Sequence, residues 1–105
     1  MYVKVYTYHV QPDKTSEFLD ILKQAQAIYE REISTEMTVL QSKDDPAKWM
    51  EISRYNSEET YRKGMEQLEG DEEIRKLFIA FQSVLIPEKN DVQEGSFEEV
   101  SIHDR

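Results

Sequence analysis

The amino-acid sequence predicts an α+β domain in which four strands form one antiparallel sheet with three helices on one face. Three observations carry that expectation: short β-branched and aromatic runs, apolar stripes at three-to-four spacing between them, and turn residues at the junctions. With 105 residues there is one core rather than two. A 38% apolar content with six tyrosines, four phenylalanines and one tryptophan is enough to fill it.

Residues 2–10, Tyr-Val-Lys-Val-Tyr-Thr-Tyr-His-Val, read as the first strand. Pro12 breaks it, and Asp13 is a candidate N-cap for a helix whose stripe is Phe18, Ile21, Leu22, Ala25, Ile28, Tyr29 and Ile33. Residues 35–41 form a second strand, the Lys43-Asp44-Asp45-Pro46 cluster a turn, and residues 49–55 a third strand. Asn56 with Glu59 has the chemistry of a capping box, Ser57 being the alternative cap. The helix that follows buries Tyr61, Gly64, Met65 and Leu68, and Gly70 ends it in a left-handed conformation. Asp71, Glu72 and Glu73 supply acid to the start of a third helix carrying Ile74, Leu77, Phe78 and Phe81. Residues 83–86 read as the last strand, stopped by Pro87. The order β-α-β-β-α-α-β is the ferredoxin-like arrangement with its second helix broken in two. It divides the chain into a domain over residues 1–87 and an acidic C-terminal tail over 88–105, in which residues 97–102 either add an edge strand or stay loose.

The net charge of −9 disfavours a nucleic-acid partner, because such a surface repels phosphates. The longest apolar run, residues 77–81, is too short to span a bilayer, and no basic amphipathic stretch suggests membrane binding. No leader pattern precedes the first strand, so cytoplasmic residence is expected. Without cysteine there is no disulfide, thiolate nucleophile or thiolate metal site. His9 and His103, the two imidazoles, are too few for an ordinary zinc site, and no phosphate loop or cofactor motif is present. Neither a metal nor a cofactor is therefore expected.

Both alternations of the first strand look suited to burial: Val3, Val5, Thr7 and His9 on one side, Tyr2, Lys4, Tyr6 and Tyr8 on the other. Three helices cover one sheet face, so the other needs a second chain. The expectation is a homodimer through the sheet face, carrying either Tyr6 and Tyr8 or Val3 and Val5.

Over residues 2–87 the chain resembles the dimeric α/β-barrel family of antibiotic-biosynthesis monooxygenases and haem-degrading monooxygenases. The resemblance rests on the first strand running into Val10-Gln11-Pro12 and Glu17-Phe18, on Asp44-Asp45-Pro46, and on Tyr55-Asn56-Ser57-Glu58-Glu59 at a helix start. It implies a homodimer with sheets packed face to face and a pocket between each sheet and its helices. The haem-degrading pattern of Trp and His on the helices and Asn on the first strand is missing. Its places hold Gly64, no histidine between Met65 and Phe81, and Thr7, so haem degradation is not expected.

A cofactor-free oxygenase needs an apolar pocket, a base for a phenolic proton and donors for the resulting anion. His9 has the unperturbed pKa for the base, and Tyr55 and Asn56 could bond an oxygenated ring. The plainer alternatives are a strand-end histidine, a packing tyrosine and a helix cap. Phe18, Leu22, Tyr61, Gly64, Phe78 and Phe81 would line the pocket or serve as ordinary core. Two functions fit: a cofactor-independent monooxygenase of a small aromatic or quinol-like compound, or a non-catalytic dimeric module that binds a small molecule or a protein.

Overall fold

A computed structural model describes residues 1–89 and 92–102. His103 and the other residues of 103–105 lie outside the described residues. The order of elements is β1 (Tyr2–His9), α1 (Thr15–Glu32), β2 (Thr35–Gln41), β3 (Lys48–Tyr55), α2 (Glu58–Leu68), α3 (Glu72–Val84) and β4 (Gln93–Glu98). The strands lie in the order β2-β3-β1-β4, with every neighbouring pair antiparallel. This is the predicted ferredoxin-like architecture.

The last strand is not where its hydrophobic run placed it. Ser83 and Val84 belong to α3, because Leu77, Ala80, Phe81 and Val84 continue one helical stripe and Val84 is fully buried. Leu85 makes only an isolated bridge to Val10 before Pro87. Four apolar residues in a row cannot distinguish a strand from a helix end. The true fourth strand is the polar Gln-Glu-Gly-Ser-Phe-Glu stretch, paired along β1 from Tyr2↔Glu98 to Thr7↔Gln93. Its pairing is dictated by the open hydrogen-bonding edge of β1 rather than by its own weak β propensity.

Local capping explains the helix boundaries. Ser57 caps α2 by accepting a bond from Thr60 N at 3.1 Å, so the cap is Ser57 and not Asn56. Asp71 caps α3 through Ile74 N at 2.9 Å, and Gly70 between the two helices has φ of 85°. Asp13 lies in a single 3-10 turn, Pro12–Lys14, and α1 begins without a side-chain cap.

Strand alternation sorts the sheet into two faces. Tyr2, Lys4, Tyr6 and Tyr8 of β1 share a face with Trp49, Glu51, Ser53 and Tyr55 of β3, beneath the helices. Val3, Val5, Thr7 and His9 share the other with Lys48, Met50, Ile52 and Arg54, and no element of the described residues covers that side. Under the helices the core forms two clusters. Tyr8, Val10, Phe18, Trp49 and Val84 anchor one; Tyr2, Ile28, Ile33, Tyr55 and Leu68 anchor the other.

Candidate active site

A cavity of about 620 Å³ lies between the sheet and the helices, with walls drawn from both clusters. Its volume falls within the span usual for small-molecule sites. Helix α1 contributes Ile21, Leu22, Ala25 and Tyr29, and α2 contributes Met65. Helix α3 adds Ile74, Leu77, Phe78 and Phe81, which makes that side apolar. The sheet side is different in kind: Tyr6 and Tyr8 from β1, Glu51, Ser53 and Tyr55 from β3, and Glu94 from β4.

Glu51 is the chemical centre of this wall. Its Oε1 accepts a hydrogen bond from the Tyr8 hydroxyl at 2.6 Å, and it has no cationic partner among the described residues. Burial lifts its carboxyl above the ordinary carboxylate range, with the Tyr8 bond pulling the other way. The surrounding phenols are raised as well. Burial, then the Glu51 charge and the bond to it, raise Tyr8. Burial followed by Glu51 raises Tyr29. Tyr55 is pushed up to about 12, chiefly by burial. These tyrosines therefore stay protonated at neutral pH and act as hydrogen-bond donors.

The ring positions are set by packing. Tyr8 meets Phe81 edge-on at 4.9 Å between centroids and Phe18 at 5.7 Å, which aims its hydroxyl along the sheet towards Glu51. At the other end Lys4 is 5% exposed, its Nζ donating to Glu94 Oε2 and, at 2.8 Å, to Ser96 Oγ. That pair joins β1 to the edge strand.

The residues singled out in the sequence separate into groups. Tyr55, Leu22, Phe78 and Phe81 lie on the cavity wall. Phe18 is fully buried beneath Tyr8 and against Trp49 at 4.9 Å, behind the wall. Tyr61 packs tilted against Tyr2 at 5.3 Å and edge-on to Tyr55 at 5.0 Å between centroids. Gly64 faces Ile33: a Cβ built there would be 2.6 Å from Ile33 Cδ1 and 2.8 Å from Cγ2. Asn56 is exposed in the turn after β3. His9 sits on the uncovered face, its Nε2 3.6 Å from Asp45 Oδ2. Sequence reasoning passed over Glu51 as a site residue. The available signal was its alternation with Trp49, Ser53 and Tyr55, which places a carboxyl on an otherwise inward-facing row.

Among the described residues no three His, Cys, Asp or Glu side chains gather as a metal site would require, and no helix is long and apolar enough to cross a membrane.

Solved structures share this architecture at low identity. SnoaB, a cofactor-independent oxygenase from Streptomyces nogalater solved as a mutant, is 13% identical with a TM-score of 0.76, covering 98% of this chain and 97% of that one. A NIPSNAP domain protein from Burkholderia xenovorans is 14% identical with a TM-score of 0.77 over the full length of both. A conserved protein from Methanosarcina mazei is 14% identical with a TM-score of 0.74, covering 95% of this chain and 94% of that one. No curated protein matches the chain in sequence. The model of the antibiotic biosynthesis monooxygenase family matches residues 1–63, more than half of the sequence, and the chain belongs to that family.

Proposed function

We propose that the chain is a cofactor-independent monooxygenase that oxidises a small phenolic or quinol-like compound held between sheet and helices. The observation that carries this reading is a buried carboxyl, Glu51, bonded to Tyr8 at 2.6 Å on the wall of an apolar cavity of about 620 Å³. Glu51 in its ionised form takes the phenolic proton, and a base whose pKa is raised towards neutrality is better matched to that task than an ordinary carboxylate. Tyr8 and Tyr55 hold the phenolate by hydrogen bonds, and the aliphatic side chains of α1 and α3 keep water from its ring. The electron-rich anion supplies electrons to dioxygen. One oxygen atom becomes a new ring carbonyl and the other leaves as water with the ring and hydroxyl hydrogens, so a phenol becomes a quinone with no external reductant.

A second copy of the chain covers the open sheet face. Val3, Val5 and Ile52 are half-buried there, while Leu40, Met50 and Phe97 are exposed. This is the face left after the helices have taken Tyr6 and Tyr8, and pairing through it matches the arrangement that the family resemblance implies.

Oxygen uptake by metal-free protein on addition of hydroquinone-type compounds tests the catalytic reading. Uptake above the spontaneous rate that disappears in Glu51→Gln supports it. Saturable binding without any uptake would instead assign the chain as a non-catalytic binding module.

A further inference from the structure

The cavity wall carries two carboxylates, and their arrangement constrains what it can hold. Glu51 and Glu94 both stand opposite Tyr6, one on β3 and the other on β4. They are therefore two strand spacings apart, roughly 10 Å between backbones, on the same face. Tyr6 is the aromatic floor between them, and among the described residues no Lys, Arg or His lines the cavity.

The two ends differ in access. Glu51 is set inside with Tyr8 and Tyr29. Glu94 is at the rim, its side chain 53% exposed, together with exposed Val92 and Phe78. Lys4, which pairs with Glu94, does not offer itself to a ligand: Glu94, Ser96 and the rings of Tyr61 and Tyr6, 5.4 and 5.9 Å away, hold its ammonium out of water. Lys4 bonds Glu94 through Oε2, and no bond to Oε1 is formed by the described residues.

We propose that the ligand is a phenol bearing an amine, with its hydroxyl at Glu51, its ring over Tyr6 and its ammonium at the rim against Glu94 and the aromatic side chains there. This rests on the placement of a phenol in the cavity set out above and adds the charge of its substituent. A carboxylated phenol would set its anion beside Glu94 with no free cation to receive it. An ammonium gains a carboxylate oxygen and the face of an aromatic ring. A phenol ring with a two-carbon amine arm has a length suited to two groups spaced across three strands.

Three probes with one ring and different charge test the assignment: tyramine, 4-methylphenol and 4-hydroxyphenylacetate, titrated into the wild-type chain by amide NMR. Tyramine should bind tightest, about tenfold or more ahead of 4-methylphenol, equivalent to about 1.4 kcal/mol. The carboxylate should bind weakest. Glu94→Gln should bring tyramine down towards 4-methylphenol. Equal affinity for the first two, a preference for the anion, or a Glu94→Gln variant that binds tyramine as the wild type does would overturn the amine assignment. Those outcomes leave the phenol site itself standing. If none of the three shifts cavity resonances, the phenol site fails with it. The three-probe comparison needs only the wild-type chain, so it decides the matter even where Glu94→Gln does not fold.

Discussion

Glu51 and Ile52 are adjacent in the chain and face opposite sides of the same sheet, and the contrast between those sides separates chemistry from assembly. Beneath the helices the rows carry tyrosines and a carboxyl, groups with an apolar body and a polar tip. On the open side Val3, Val5, Ile52 and Phe97 make an apolar patch, with Thr7, His9, Lys48 and Arg54 on the same face. A polar-tipped row repays its burial only where its tips meet partners, as Tyr8 meets Glu51. An apolar patch is satisfied by any dry surface. The first suits the proposed site and the second the proposed contact between copies.

The largest expected effect comes from putting the wrong chemistry on the open side. Ile52→Lys places a second cation beside Arg54, whose Nη1 bonds the hydroxyl of Thr38 opposite Ile52, in the proposed contact, which should weaken pairing by about 100-fold or more. Light scattering should show two chains for the wild type and one for the variant at micromolar concentration. A wild type already at one chain mass would remove the contrast altogether.

The neighbouring change, Glu51→Gln, should leave assembly alone and lower turnover of a phenolic substrate by about 100-fold, the lower bound for losing a positioned base. Its stability should respond to pH in a defined direction. Because burial raises the folded pKa of Glu51, its contribution to stability is present below the unfolded value and is lost as pH rises through the folded value. Glutamine removes that loss. The variant should therefore melt above the wild type at neutral pH, with the advantage fading towards about pH 4. Melting curves across that range give the answer.

Gly64→Leu probes the helix layer away from both faces. Overpacking against Ile33 should cost about 1–3 kcal/mol, or a fall of about 4–8 °C in Tm per kcal/mol for a domain near this size. An unchanged Tm would mean that the layer has room to spare. The smallest effect is expected from Tyr8→Phe, about 1 kcal/mol for the lost bond. Its Glu51 should titrate still higher, because that bond favours the ionised form; carboxyl NMR reads the shift directly.

Much of this fold was legible from periodicity. Phe18 to Ile33 announced α1, and the β-branched and aromatic runs announced β1 and β3. Two kinds of information were not. Residues 83–86 are too few to show a period, so a helix end passed for a strand. The segment that does form β4 has one aromatic residue and a glycine, and only the bare edge of β1 makes it a strand. The candidate site was partly legible. Tyr55, Leu22, Phe78 and Phe81 carry apolar surface that must go inward, but which of them faces a void depends on how two clusters fail to merge. Phe18 has the same chemistry and ends behind the wall. Glu51 was overlooked because a charged residue on a strand is ordinarily solvated.

The position of β4 also has a consequence during synthesis. Tyr6 and its partner Glu94 are 88 residues apart, so β1 leaves the ribosome roughly 4–18 s before its outer neighbour has been made. Throughout that interval one edge of β1 exposes unpaired backbone groups, the condition under which nascent chains cross-pair. The segment that closes this edge is built from Gln, Glu, Gly and Ser around a single Phe, so once it becomes the outer strand it is a poor template for a foreign one. The polar composition that makes β4 hard to read in the sequence thus leaves the finished sheet with a guarded edge. The rim carboxylate Glu94 arrives with that strand, so the proposed amine subsite is complete only once the sheet is.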